Sequence, residues 1–380
     1  MNYKVLVITG SFPPDVGGIQ NYVYNLCKYS NHQITVLAPD MNEAAQFDSK
    51  QNFKIVREKF LSGDFLTSGR NLLKAVFRLT KNNKYDLIIC NHVLVATIGR
   101  ILSFFMNKPF LIITYGKDTL EFLHNPILRR LVKTNLKKSR AIITCSEYTK
   151  SVVINLNVTQ DKIYAVLPGV DSKFEPKEKN VQLLRKYRLE NSSILYTIGR
   201  LVERKGHDIV IKSLPIIIEQ IPNVKYLIVG DGEHRRRLEQ LAVEYGVEDY
   251  VVFAGEVEDS ALVDHYNIGD VFVMPSRYLE STGSVEGFGI VYLEAGACKK
   301  VVIGGNSGGA PEAVGDSQTG ILVDPTDTID IANKIINILL NHNLAKEIAH
   351  NAHRRAKDEF SHNIVAKHFD AIIERYASKK

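Results

Sequence analysis

Short runs of consecutive apolar residues alternate along this chain with longer amphipathic stretches of helical period. In the first half the runs are YKVLVITG, QITVLAP, FKIVRE, YDLIICN, FLIITYG, AIITCS and IYAVLP. In the second half they are SILYTIG, KYLIVGD, VVFAGEV, VFVMPS, VVIGG and ILVDP. Helical stretches fall between them, among them IQNYVYNLCKYS, HDIVIKSLPIIIEQI and HRRRLEQLAVEYG. This alternation predicts an α/β protein of parallel layers.

The series is interrupted once, at residues 167–180 (LPGVDSKFEPKEKN), where Pro168, Gly169, Pro176 and a cluster of charge precede a fresh succession of helices and strands. A chain of 380 residues is also longer than one hydrophobic core usually serves. Two doubly wound, Rossmann-like domains are therefore expected, residues 1–170 and 171–360, joined by a hinge and facing a cleft. The chain ends in helices after Pro325, and the last, at about residues 361–380, is expected to pack back on the first domain.

Composition narrows the class. Hydrophobic residues make up 45% and charged residues 24%, as in an ordinary soluble protein. No run approaches the ~18–20 apolar residues of a membrane span. The opening KVLVITG lacks the charged region and cleavage site of a signal peptide, so a cytoplasmic protein is expected. Cys27, Cys90, Cys145 and Cys298 form no C-x-x-C pair and read as buried free thiols. The net charge of +6 is modest but unevenly spread. Residues 128–140 put Arg129, Arg130, Lys133, Lys137, Lys138 and Arg140 into one helical stretch. A second stretch interleaves Arg70, Lys74, Arg78 and Lys81 with apolar residues. Each reads either as a solvated helix face or as an amphipathic helix able to rest on an anionic membrane surface, the inner face of the cell membrane being the place for it. Nothing points to nucleic acid.

In open parallel sheets ligands bind beyond the carboxyl ends of the strands, and the unusual glycines and polar residues fall there. The loop after the first strand lacks the G-x-G-x-x-G dinucleotide fingerprint but carries Pro13, Pro14 and Gly17-Gly18 before a helix, where a phosphate can approach backbone N–H groups. GRLVERKGHD sets Arg200 and Lys205 at a strand end; two cations so placed suit a diphosphate, one as a fork and one as a point charge. His207 and Asp208 read as helix-start residues, and Arg204 and Glu203 as a polar loop. In SVEGFGIVYLEAGA, Gly287 and Gly289 flank Phe288, and a helix is expected to start near Ile290. Glu286 precedes that helix and Glu294 lies about a turn inside it. Carboxylates that only accept hydrogen bonds are good partners for pairs of sugar hydroxyls. No D-x-D motif stands at a strand end, and no metal or cofactor is expected.

Taken together, PPDVGGIQNYVYNL, PGVDSKFEP, GRLVERKGHD and EGFGIVYLEAGA followed by GGNSGGAPEAV make the chain resemble, almost end to end, the retaining glycosyltransferase family four, of GT-B fold. The resemblance implies that Gly17 and Gly18 approach the donor phosphates or the acceptor, and that Arg200 and Lys205 bind the diphosphate. It implies that Glu286 contacts the transferred sugar, with Gly287, the amides of Phe288, Gly289 and Ile290, and Val291 beside it. Glu294 would hold the ribose, and the loop of Gly255, Glu256 and Val257 would lie near the base. Family members often carry a histidine where this chain has Tyr115, so Tyr115, with Lys117 and Asp118, is expected near the sugar; His92 is a further candidate. The segment from Arg277 to Val285 and the run EGFGIVYLEA look closest to phosphatidylinositol mannoside-type mannosyltransferases, which favours GDP-mannose over a UDP-sugar. Retention without a metal is implied, the leaving diphosphate helping to take the acceptor proton, and the acceptor is a lipid-linked or polysaccharide saccharide of the cell envelope. Two other readings stay open: a nucleotide-sugar epimerase of similar fold, and a non-catalytic membrane- or polyanion-binding protein.

Overall fold

The computed structural model describes residues 2–15, 17–61, 65–81, 83–315 and 317–377. Val16 of the first glycine motif and the last three residues of the expected C-terminal helix lie outside them. The chain divides into two compact units, Met1–Gly169 with His362–Lys380, and Val170–Ser361. Each is built on a sheet whose described strand pairings are all parallel.

The first unit contains β1 (Lys4–Thr9), β2 (Gln33–Pro39), β3 (Lys54–Glu58), β4 (Leu87–Asn91), β5 (Phe110–Thr114), β6 (Ala141–Thr144) and β7 (Ile163–Ala165), in the order β3-β2-β1-β4-β5-β6-β7. Side chains alternate across a strand, and β1 shows the consequence. Val5 and Val7 pack toward the helices Gly18–Tyr29 and His362–Ala377, while Leu6 and Ile8 pack toward Phe65–Lys81, Ala96–Met106 and Pro126–Lys138. Both faces being covered, the strand interiors are largely apolar, which makes them legible as continuous runs.

The C-terminal helix is anchored in this unit by one buried carboxylate. Asp370 accepts hydrogen bonds from Ser30 Oγ (2.6 Å), Asn31 N (2.9 Å) and Asn31 Nδ2 (3.1 Å). Tyr29 stacks on His362 at 5.0 Å, and the Tyr164 and Tyr376 hydroxyls meet at 2.9 Å.

The second unit contains β8 (Ser193–Ile198), β9 (Val224–Val229), β10 (Val251–Gly255), β11 (Val271–Met274), β12 (Val301–Gly305) and β13 (Ile321–Val323), ordered β10-β9-β8-β11-β12-β13. One face is aliphatic: Leu195, Ile228, Val271, Val273 and Ile303 pack against Ile211, Leu214, Ile331 and Ile335 of the helices His207–Gln220 and Thr328–Leu340. The other face carries an aromatic layer. Tyr196 meets Phe272 at 5.3 Å and Tyr266 at 6.1 Å, and Phe272 meets Tyr292 at 5.8 Å, all edge-to-face. Two of these tyrosines, Tyr266 and Tyr292, hydrogen-bond to residues of the candidate site.

Asp370→Ala should strand three donors and lower the unfolding free energy by about 2–4 kcal/mol, the range for losing charge-assisted hydrogen bonds from a buried group. Urea unfolding followed by circular dichroism measures it, and an unchanged midpoint would show that this carboxylate anchors nothing.

Candidate functional site

In the second sheet the strand order reverses between β8 and β11, which leaves a crevice beyond their carboxyl ends. β8 runs into Gly199, Arg200 and the short turn Glu203–Lys205, and β11 runs into Pro275, Ser276 and Arg277. Glu286 comes to the same place. Its Oε2 accepts from Arg204 Nη1 at 2.5 Å and lies 2.7 Å from Lys205 Nζ. The three side chains are only 16%, 10% and 12% exposed for Arg204, Lys205 and Glu286. Burial by itself would raise the Glu286 carboxyl, but the charges of Lys205 and Arg204 outweigh it and hold the group at about 2. Arg200 stands exposed close enough for its charge to act on Lys205. Two cations on one carboxylate, with Arg200 close to Lys205, leave this cluster with a net positive charge.

Arg277 does not add to that surplus. It is matched by Asp208 through two bonds of 2.8 and 3.1 Å, and its backbone N–H donates to the Arg204 carbonyl at 2.8 Å. It therefore ties the loop after β11 to the loop and helix start after β8.

The Glu286 loop is held by its neighbour. Gly309 N donates to the Glu286 carbonyl at 2.8 Å, and a Cβ at Gly309 would strike the Gly287 carbonyl oxygen. Glycine in GGNSGGAPEAV is thus required by close approach of two strand-end loops. Gly289 then takes the left-handed conformation (φ 91°) that starts the helix Ile290–Ala297, whose first N–H groups, those of Ile290 and Val291 included, have no acceptor inside the helix. Phe288 is buried beside Phe360. Tyr292 Oη lies 2.7 Å from the Met274 carbonyl and 3.0 Å from Ser276 Oγ, fixing this helix to the end of β11.

Glu294, one turn in, has a different environment from Glu286. It accepts from Tyr266 Oη at 2.5 Å, and burial, opposed by that bond and by Lys173, raises its carboxyl to about 7. The two glutamates of one segment thus stand at opposite ends of the carboxylate range. Val257 and Glu256 follow β10, with Val257 half-buried.

The remaining sequence candidates belong to the first unit. Gly17 precedes the helix Gly18–Tyr29 in extended conformation (φ 170°), and a Cβ there would meet the Gln20 side chain. Tyr115 is buried; its hydroxyl donates to Asn91 Oδ1 at 2.5 Å and its ring meets Tyr22 edge-on at 5.8 Å. Burial, with Tyr22, Cys145 and Asp118 adding to it, pushes that phenol well above its ordinary value. Asp118 Oδ1 accepts from Thr114 Oγ1 and from Tyr115 N, both at 2.8 Å, while its buried Oδ2 has no hydrogen-bond partner. His92 lies after β4 with φ 154°, its Nδ1 accepting from Leu94 N and its ring against Phe122.

Comparison with known proteins places this arrangement. Residues 182–355 match the model described as glycosyl transferases group 1, and residues 16–174 match glycosyltransferase family 4. The GDP-mannose-dependent alpha-(1-6)-phosphatidylinositol monomannoside mannosyltransferase of Mycobacterium tuberculosis is 30% identical over 355 residues, covering 90% of each chain. The chain belongs to glycosyltransferase family 4. The capsular polysaccharide biosynthesis glycosyltransferase CapM of Staphylococcus aureus is 25% identical, covering 98% of this chain and 97% of that one. Among solved structures, Anabaena HepE in complex with UDP and glucose superposes with a TM-score of 0.83 at 21% identity, covering 98% and 100% of the two chains, which establishes the GT-B fold. This glycosyltransferase accordingly takes its sugar from a nucleotide-sugar donor. Among the described residues no helix is long and apolar enough to cross a membrane.

Three residues of the second-unit cluster are not distinguished by the sequence. Arg204 sits with Glu203 in what reads as a polar loop, where only its neighbour Lys205 stands out. Arg277 lies in an insertion of no periodicity. Tyr266, inside the helix Asp259–Ile268, has the pattern of a core aromatic. Adjacency to Lys205 is the one available signal, and it points to Arg204 alone.

The raised Glu294 carboxyl carries a pH signature. Because the folded state holds this proton more tightly than the unfolded chain, its stabilising contribution is complete below the ordinary value of 4.5 and lost as pH rises through about 7. Glu294→Gln should flatten that part of the stability profile, as thermal unfolding across the window would show; an unchanged slope would place the titration elsewhere.

Proposed function

We propose that this glycosyltransferase moves a hexose from a nucleotide-diphosphate sugar, with retention of anomeric configuration, to a saccharide acceptor of the cell envelope that is lipid-linked or part of a polysaccharide or lipopolysaccharide. GDP-mannose is the favoured donor, supported by the mannosyltransferase relatives, and a UDP-sugar is the alternative. The observation that carries the reading is the Arg204–Lys205–Glu286 cluster with Arg200 beside it, at the mouth of β8 and β11 and next to the start of Ile290–Ala297.

In this reading the donor half is Val170–Ser361 and the acceptor half is the first unit. The surplus positive charge takes the diphosphate, which needs no metal counter-charge, and the open N–H groups of Phe288, Gly289, Ile290 and Val291 meet phosphate or sugar oxygens. Glu286 then has two tasks. It holds Arg204 and Lys205 in place before the donor arrives, and its remaining acceptor capacity takes a sugar hydroxyl. Glu294, in its carboxylate form, takes the ribose hydroxyls, with Val257 toward the base. Departure of the nucleoside diphosphate concentrates charge on the phosphate oxygens, and fixed cations stabilise that charge without reorganising. Same-face attack follows, the leaving phosphate accepting the acceptor's proton. Gly17, Gly18, Tyr115 and Asp118 of the first unit serve the acceptor and the transferred sugar. The basic helices of that unit rest on an anionic membrane surface, at which a lipid-linked acceptor would be met.

Two variants separate the tasks. Lys205→Ala should weaken nucleoside-diphosphate binding by about ten-fold or more, as expected for loss of one charge-assisted contact, measured by isothermal titration; equal affinity would sink the diphosphate role. Glu286→Gln keeps the shape but removes a negative charge beside the phosphates. It should leave nucleotide affinity intact or tighter while kcat falls by about 100-fold, and unchanged turnover would contradict the assignment. A thermal-shift series with GDP-mannose, UDP-sugars and ADP-glucose identifies the donor, since ligand binding stabilises the folded state by mass action.

A further inference from the structure

The helices Phe65–Lys81, Ala96–Met106 and Pro126–Lys138 share one core on one face of the first sheet. They carry four, one and five Lys or Arg residues respectively, and not one Asp or Glu. The whole chain is nearly balanced, with 48 cations and 42 carboxylates, so this layer is segregated charge. In the first helix Leu72, Ala75 and Val76 point inward. The outward stripe is Arg70, Lys74, Phe77 and Lys81, at i, i+4, i+7 and i+11, every one exposed.

The second helix ends in Phe104 and Phe105, which are 82% and 67% exposed. Phe105 meets Phe104 edge-on at 5.6 Å and Phe77 of the neighbouring helix at 5.8 Å. Three rings from two helices therefore form one apolar patch inside a cationic surround. The third helix packs against the second and presents Arg129, Lys133 and Lys137 along a groove of its own.

We infer that Phe104 and Phe105 form a membrane wedge, inserting below the headgroups of an anionic bilayer while the cations around them contact lipid phosphates. The inference rests on the membrane-surface reading of the basic helices and names the side chains and lipid chemistry that carry it. Charge complementarity selects the occupant: of the ten cations on these helices Arg78 is paired with Glu58, and with no carboxylate on the helices themselves the others suit an anionic interface. Phenylalanine selects the mode, because its ring has no polar atom to satisfy and gains by leaving water.

The chain has no tryptophan, so Phe104→Trp introduces a single reporter. Its emission should shift to the blue with vesicles of phosphatidylcholine and phosphatidylglycerol, and not with phosphatidylcholine alone. In co-sedimentation, replacing Phe104 and Phe105 together by Ser should lower partitioning on the anionic vesicles at least about ten-fold, with Tm and nucleoside-diphosphate affinity unchanged. If the Ser variant partitions like the wild type while Lys74→Glu with Lys81→Glu abolishes binding, charge alone holds the protein and the wedge is wrong. No binding of the wild type to anionic vesicles overturns both readings. The wedge is equally overturned if the Ser variant only dissociates a dimer, or if the wild type prefers single-stranded DNA to vesicles.

Discussion

A parallel sheet covered on both faces has no room for polar chemistry except at the ends of its strands, and both units of this protein obey that constraint. In the first unit β4, β5 and β6 are apolar until their last residue, as β1 is after Lys4, and at those ends Thr9, Asn91, Thr114 and Thr144 appear, all buried. Their polar atoms find partners at the same strand ends and in the loops beyond them. Thr9 donates to the Ser11 carbonyl, Asn91 to Thr9, Thr114 to Asp118 and Thr144 to the Ser146 carbonyl. Each of these strand ends is thus tied down by a hydrogen bond that only a polar residue can make. The loops beyond these strand ends are fixed in space because the aliphatic interiors behind them cannot shift without losing packing.

In the second unit the same constraint gathers charge. Arg204, Lys205 and Glu286 come from two loops separated by 82 and 81 positions in the chain, and they meet with most of their surface removed from water. An isolated charge there would be costly; the pair and its extra cation lower that cost by mutual attraction. The arrangement leaves positive charge unmatched, which an ordinary structural salt bridge does not. In the proposed transfer, cations preorganised at the end of a rigid sheet would stabilise the charge of the departing nucleoside diphosphate.

The aromatic layer beneath Ile290–Ala297 supplies the second kind of control. Tyr292 fixes the helix to β11, and Tyr266 places a hydroxyl on Glu294, while the rings around them remove water from that carboxylate. Glu286 and Glu294 lie eight residues apart, yet one is held at about 2 and the other raised to about 7. The difference arises from neighbours: two cations for the first, a phenol and apolar rings for the second.

Much of this is legible in the chain itself. All thirteen described strands fall on the apolar runs, β9 starting one residue ahead of its run, since a strand buried on two faces needs no long-range information to be apolar. Glycines at strand ends, Arg200, Lys205, Glu286 and Glu294 stand out because such residues have no place in a parallel core. Their partners do not stand out. Arg204, Arg277 and Tyr266 have no distinguishing period or motif, and each acquires its role by meeting a residue far along the chain. The exposed rings of Phe77, Phe104 and Phe105 are a further case: the helical period marks apolar residues, but only the packed layer shows which were left outside. Local pattern determined the elements and the residue types at their ends. Tertiary structure decided which charges share a carboxylate, which glutamate is raised and which lowered, and which aromatics face water, because burial and electrostatic neighbours are properties of the folded whole.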